Sequence, residues 1–479
     1  MSTFSSLGIG SGLDANAIVS QLVALERRPI ELLKGEATKI DARLSSFGRI
    51  QSALDAVRSA ARTLTDSSTW RAASATSSDA TAVGVTVSSG STPGSYAVQV
   101  GRLAAAQMNA SSALATAQTV VGKGTLRFEM GSWAADESAF TPRSGGSAIE
   151  VTIGDGEDTL EKIRDKINNT SGLDVRASIV NDASGARLVL QSRSTGADNG
   201  FRLQVVDDDD GNATDAAGLS RLAYDPPAGA TGAARTQAGV NAQATINGLQ
   251  VESATNSMSN VIDGVSLTLG KVTTGAVDVS VSHDTASMRK SIEGFVTAYN
   301  DLVKLVREQT KYDEASKSAG PLQGDRTAIG ILGQLRSVIG ASSTASSSFA
   351  RAADIGLQTQ TDGTLKLAGS KLDEGFGALS QLQNFFAAAT ESSASSGLAV
   401  RLRALTDQML GADGAVSSRQ EGLRERKANN GKRQASLEDR IALTEKRLRA
   451  QYQALDSSMA KLGNLSNYVS QQVSNWNKA

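Results

Sequence analysis

Between Gly12 and Leu64, apolar residues return every three or four positions for far longer than one globular helix requires. Ile18, Leu22 and Leu25 lead up to Arg28-Pro29, and Ile30, Leu33, Ala37, Ile40, Leu44, Phe47, Ile50, Leu54, Val57, Ala61 and Leu64 continue beyond the proline. The steps average about 3.5 to 3.6 residues, which keeps one stripe facing a partner along a whole rod. At the other end of the chain Leu437, Ile441, Leu448, Tyr452, Leu455, Met459, Leu462, Val469, Val473 and Trp476 repeat the spacing. At about 1.5 Å per residue this second rod is roughly 60 Å long. The rods are expected to pair, with each other or with copies of themselves, and to carry everything between them. A two-helix hairpin alone leaves part of each rod bare, and bare apolar edges associate.

The rest of the chain has room for about three domains of ordinary size, since it runs to 479 residues. Lys+Arg 48 against Asp+Glu 49 leaves a net charge of −1, which argues against a nucleic-acid or membrane-surface footprint. Aromatic residues are only 4 %, so cores must rest on Val, Ile, Leu and Ala. The absence of cysteine excludes disulfides, thiol catalysis and thiolate metal ligation. No apolar run approaches the roughly 18 residues of a membrane span. The first basic residue is Arg27, so the charged start of a cleaved secretory signal is not present; if this protein leaves the cell, another route is expected.

Along the chain the period alternates between helix and strand. Ser2 to Asp14 is Gly/Ser-rich, with Asp14 as an N-cap, and Pro29 predicts a kink or break. Thr65 to Ser78 reads as a linker around Trp70. Strand alternation appears at Val83–Val87, Tyr96–Val100, Leu126–Met130 and Ile149–Ile153. A helix is predicted over 158–168, then strands at Val175–Ile179, Arg187–Gln191 and Phe201–Val206. Asp225-Pro226-Pro227 marks a boundary. A second β block follows: Ala244–Ile246, the hairpin signal Asn247-Gly248, Leu249–Val251, Val265–Leu269 and Val277–Val281. It is read with 83–100 as two halves of one domain. Helices resume with Met288 to Val306, Ile329 to Ile339, Leu372–Phe386 and Leu398–Leu410, with one hairpin around Asp362-Gly363. Asn429-Asn430-Gly431 is expected to stop a charged helix, and Ser436 with Asp439 to cap the terminal rod.

Chemistry-bearing clusters are weak. His283, the only histidine, ends a strand and reads as a surface or hinge residue. Asp207 to Asp210 lacks the spacing of a calcium loop and reads as a solvated turn. Gly8-Ile9-Gly10-Ser11-Gly12 fails the G-x-G-x-x-G spacing and has no preceding strand; Ser287-Met288-Arg289-Lys290 matches S-x-x-K without its companion motifs. Neither a cofactor nor a metal is implied, and no enzyme activity is expected.

One family matches the residues now on the page. Gly10-Ser11-Gly12-Leu13-Asp14, Ile18-Val19, Leu22-Val23, Glu26-Arg27 and Pro29-Ile30, then Ile246-Asn247-Gly248 and Asn260 to Val265, resemble the bacterial flagellar filament cap, or hook-associated protein 2. Phe295-Val296, Tyr299 to Leu302, Leu365 to Leu372 and Tyr452, Leu455-Asp456, Met459, Leu462 and Tyr468 add to the resemblance. The resemblance implies an α+β multidomain chain with terminal helices forming a coiled-coil-like leg, a helical domain and two nested β-rich domains. The expected divisions are 1–45 with 434–479 for the leg, 46–75 with 284–433 for a helical domain with one hairpin, 76–110 with 236–283 for a β-rich domain, and 111–235 for an inserted β-rich domain with one helix. It further implies a ring of copies at the filament tip that retains exported flagellin and promotes its folding. Leg contacts are expected from Ile18, Leu22, Leu25, Leu33, Ile40, Leu44, Leu448, Tyr452, Leu455, Met459, Leu462 and Val469. Expected partners are flagellin, hook-associated proteins, a flagellar export chaperone and, at the β domains, a host-surface ligand; no nucleic acid or membrane span is expected. The implied location is extracellular, at the flagellum tip, reached by the flagellar type III route without a cleaved signal peptide. The alternatives are a hook–filament junction protein or flagellin-like subunit, and a secreted surface adhesin.

Overall fold

The computed structural model describes residues 14–206, 209, 211–315 and 317–476. The glycine-rich stretch before Asp14, and Asp207, Asp208 and Asp210 of the acidic run, lie outside the described residues. The chain forms two compact units, one of residues 1–70 with 286–479 and one of residues 71–285.

The first unit is helical. Its N-terminal helix, Ala15–Thr65, is continuous through Pro29, so of the expected kink or break no break occurs. Pro29 faces solvent, so the carbonyl that loses its helical partner, that of Leu25, is left to water, while Val23, Ile30 and Leu33 on either side of it in sequence are buried and keep the segment packed as helix. The C-terminal helix, Ala415–Trp476, likewise runs through Asn429-Asn430-Gly431. Asn430 is buried there, with Nδ2 donating to the Leu33 carbonyl at 3.1 Å and Oδ1 accepting from Gln434 at 2.5 Å. A side chain used this way supports the helix, and Ser436 with Asp439 sits in mid-helix and caps nothing.

Between these rods lie the helices Thr285–Thr310, Arg326–Gly340, Gly369–Phe376, Leu379–Ala387 and Leu398–Leu410. The stretch read as one helix over Leu372–Phe386 is two, parted at Gly377-Ala378. Phe47, Ile50, Leu54, Val57, Ala61 and Leu64 are fully sealed, as are Tyr299, Leu335, Leu382 and Phe386. Trp70 belongs to this core and not to a linker. Its ring stacks on Phe386 at 5.5 Å between centroids, and its indole N–H donates to the Leu64 carbonyl at 2.9 Å. Two short hairpins accompany the helices, Leu357–Thr359 with Leu365–Leu367 and Tyr312–Asp313 with Ser318–Ala319.

The second unit is β-rich. A five-stranded antiparallel sheet has the order Ala73–Ser77, Val277–His283, Gly94–Arg102, Ala242–Ile246, Leu249–Ser253, and a three-stranded one has Ser257–Ile262, Val265–Leu269, Val83–Val87. Val83, Val98, Val100, Ala244, Leu267 and Val279 meet in one core, so strands from both sides of the long intervening segment interleave. That segment has its own core around Leu126, Phe128, Ile163, Leu190, Phe201 and Leu203, built from two four-stranded sheets and the helix Leu160–Asn169. Met108–Ser111 pairs with Ala233–Gln237, which brings the two ends of the segment side by side.

Candidate functional site

The site is built from the two ends of the first unit. The N-terminal helix begins at Ala15 because the Asp14 carboxylate accepts the Ala17 N–H at 2.9 Å, satisfying one of the free first-turn donors. The phase fixed by Phe47 to Leu64 in the core continues outward through Ile40, Leu33, Ile30, Val23, Val19 and Ala15, all buried. The C-terminal helix runs antiparallel against this stripe. Gln51 meets Gln420, Asp41 meets Lys427 at 2.6 Å, Glu26 meets Arg440 at 3.7 Å and Asn16 meets Arg449 at 3.2 Å. The two exposed charge pairs among these, Asp41 with Lys427 and Glu26 with Arg440, contribute under about 1 kcal/mol each. The seam of Val19, Val23, Ile30 and Ile441, with Leu437, Leu448 and Tyr452 packed on its rim, holds the helices together, at about 1.5–3 kcal/mol for each large side chain fully buried.

Past Tyr452 the seam has no partner among the described residues. Ile441, Leu448, Leu455, Leu462 and Val469 recur at seven-residue intervals, as do Tyr452 and Met459 beside them, so one heptad stripe is covered below Tyr452 and bare above it. Leu455 is 43 % exposed and Leu462 58 %, and Met459, Leu465, Tyr468, Val469 and Val473 are exposed with them. The charge pattern changes at the same point. From Gln453 to Trp476 the sequence carries only Asp456 and Lys461, whereas the paired part of the helix is dense in Arg, Lys and Glu. A second bare stripe, Leu22, Leu25 and Leu32, flanks the buried one on the N-terminal helix.

The structure divides the residues expected to make contacts. Leu33 and Ile40 are buried inside the pair, Ile18, Leu44, Leu448 and Tyr452 are half-buried at its edge, and Leu22, Leu25, Leu455, Met459, Leu462 and Val469 are exposed. Sequence reasoning chose the phase of Ile18, Leu22 and Leu25, while the helix buries Val19 and Val23, one position on. Carrying the phase of Ile30 and Leu33 backwards through the proline would have found them, because each step of one residue turns a helix by about 100°.

Elsewhere one polar cluster, of Glu137, Tyr224 and Arg235, is mutually occupied. Glu137 accepts from the Tyr224 hydroxyl at 2.5 Å and pairs with Arg235, and burial, then that hydrogen bond, push the Tyr224 phenol above its ordinary value. His283 is an exposed strand-end residue paired in register with Ala73. Among the described residues no three His, Cys, Asp or Glu side chains converge as metal ligands, and no helix is long and apolar enough to cross a membrane.

Known proteins share this architecture. Residues 11–107 match the family model for the flagellar hook-associated protein 2 N-terminus and residues 239–464 that for its C-terminus, with a flagellin hook IN motif over 141–194. The B-type flagellar hook-associated protein 2 of Pseudomonas aeruginosa is 31 % identical over 94 % of each chain. The flagellar hook-associated protein 2 of Escherichia coli K12 is 30 % identical over 99 % of each. A crystal structure of the D1-D2-D3 domains of the flagellar cap protein from Escherichia coli superposes with a TM-score of 0.60 at 28 % identity, covering 79 % of this chain and 99 % of that one.

Proposed function

This chain belongs to the flagellar hook-associated protein 2 family, and from that premise we propose that it is a structural cap at the distal end of a flagellar filament. The observation that carries the mechanism is the heptad stripe left bare beyond Tyr452. Exposed apolar side chains at regular helical spacing are a surface for other helices, and the described residues of a single copy supply none there. Copies assemble as a ring at the tip, where exported flagellin is retained and folds into the next lattice site. Leu22, Leu25, Leu455, Met459, Leu462 and Val469 seat the leg against neighbouring subunits, while Ile18, Leu33, Ile40, Leu44, Leu448 and Tyr452 keep its two helices together. The division into leg, helical domain, β-rich domain and inserted β-rich domain is part of the same proposal. So are the extracellular location, export by the flagellar type III route, and partnership with flagellin, other hook-associated proteins and an export chaperone.

Replacing Leu455 and Leu462 together with Asp tests this reading. The variant is expected to abolish swimming and to release unpolymerised flagellin into the medium, with the circular dichroism of the purified protein little changed. Unchanged swimming would refute the role of the stripe.

A further inference from the structure

The chain holds three Asn-Gly pairs, Asn199-Gly200, Asn247-Gly248 and Asn430-Gly431, and the fold treats them differently. Such a pair carries a chemistry of its own, because glycine has no side chain to shield its backbone nitrogen from the asparagine Cγ one residue back. The glycine N–H gives its proton to hydroxide, a bond forms from that nitrogen to Cγ, and the Cγ–Nδ2 bond breaks as Nδ2 leaves as ammonia. A cyclic imide results, and water opens it. Cleavage of the new N–Cγ bond leaves aspartate; cleavage at the backbone carbonyl leaves isoaspartate, with the main chain running through Cβ. One water is consumed and one ammonia released, with no oxidant or reductant. The reaction needs the glycine nitrogen free as nucleophile and Nδ2 free as leaving group.

Asn430 has neither free. It is buried, its Nδ2 donates to the Leu33 carbonyl at 3.1 Å, and the Gly431 N–H is held in the hydrogen-bond ladder of the helix Ala415–Trp476. Asn199 is held at the same two places. Its Nδ2 donates to the Thr195 carbonyl at 2.6 Å, and the N–H of buried Gly200 donates to the Ala197 carbonyl.

Asn247 and Gly248 form the exposed two-residue turn between Ala242–Ile246 and Leu249–Ser253, with φ of 48° and 85°. Neither the Gly248 N–H nor the Asn247 Nδ2 has a hydrogen-bond partner among the described residues. What is bonded is the Asn247 Oδ1, which accepts the Ala97 N–H at 2.8 Å. A donor on that oxygen draws electron density from Cγ, the carbon under attack. The nitrogen reaches Cγ by rotation about the Asn247 Cα–C bond, and little that is packed has to move, since the space beside Gly248 is open and Leu249 is 73 % exposed.

We infer that Asn247-Gly248 is a self-modifying site, at which the folded chain converts Asn247 to aspartate and isoaspartate ahead of the other two pairs. Aspartate keeps an oxygen for the Ala97 N–H. Isoaspartate lengthens the main chain of a turn whose length sets the pairing of Ile246 with Leu249, and so loosens the edge strand Leu249–Ser253.

The purified full-length chain is incubated in mildly alkaline buffer, folded and in concentrated urea, then digested with trypsin for tandem mass spectrometry. The three pairs fall in separate peptides, 194–202, 236–271 and 428–432. In the folded chain Asn247 is expected to convert about tenfold or more faster than Asn199 or Asn430, where two hydrogen bonds must open first. In urea the three rates should draw together. A folded rate at Asn247 no higher than at the other two would overturn the inference, and so would the same order and spacing of rates in urea, which would assign them to local sequence and not to the fold. The Asn247→Asp chain should melt with the parent and the incubated chain below both; an incubated chain rich in isoaspartate that melts with the parent would refute the loosened turn.

Discussion

Arg401 is the residue whose chemistry the helical unit leaves least satisfied. It is 8 % exposed in the helix Leu398–Leu410, its Nε and Nη2 have no hydrogen-bond partner among the described residues, and burial alone pulls its pKa down. A buried cation without a counter-ion costs more than an apolar side chain of similar length. Arg401→Met is therefore expected to raise stability by about 1–2 kcal/mol, seen as a higher midpoint in urea. Trp70 is the opposite case. Trp70→Ala should cost about 3–5 kcal/mol, because it opens a cavity against Phe386 and strands the Leu64 carbonyl. Asp79 gives the pH dependence a residue. Its carboxylate accepts from the Thr81 hydroxyl at 2.6 Å and pairs with Lys271 at 2.9 Å, and these hold its pKa well below the ordinary carboxylate value. A folded-state pKa that is lowered adds stability above the unfolded value, lost as pH falls towards the folded one. The thermal midpoint of the β-rich unit should thus fall as pH drops below about 4, and less steeply in Asp79→Asn than in the parent. None of these three roles was legible in the sequence, where Trp70 lay in an apparent linker and Arg401 in an amphipathic helix. Burial of a single side chain is set by what arrives from elsewhere in the chain.

At the scale of elements, the long helices were legible as periods, but their continuity was not. Local chemistry argues for a kink or break at Pro29 and for a stop at Asn429-Asn430-Gly431, and both helices continue through these positions. Tertiary contacts on either side outweigh the local preference: buried Val23, Ile30 and Leu33 flank the proline, and Asn430 is held by Leu33. Propensity differences are worth up to about 3 kcal/mol even for proline, less than burying several large side chains. Pro29→Ala should accordingly leave the helix in place and slow amide exchange around residues 25–33, where the missing hydrogen bond is restored. The split at Gly377-Ala378 runs the other way. There an apolar period continuous over Leu372–Phe386 is served by two short helices, because Leu372, Leu382 and Phe386 are all buried without sharing one axis. Periodicity fixes which residues want cover, and it is silent on whether one rod or two deliver them.

For the molecule as a whole, the nested plan follows from pairing across large sequence distances. Ala105 bridges Val240 and Ser111 pairs with Ala233, so the segment between them leaves and re-enters at neighbouring points and carries a core of its own. A fragment of residues 105–240 is expected to fold alone with a cooperative thermal transition, and non-cooperative melting would show that it depends on the sheets around it. The sequence by itself determined the apolar stripes of the terminal helices, the alternation of the strands, the absence of thiol chemistry and, through its motifs, the family. These are properties of neighbours along the chain, which local spacing and side-chain chemistry fully encode. Tertiary structure alone decided that Val19 and Val23, not Leu22 and Leu25, face the partner helix, and that cover from the described residues stops at Tyr452. An apolar residue is committed to leaving water, but which of two adjacent stripes does so depends on where the opposing helix lies and how far it reaches.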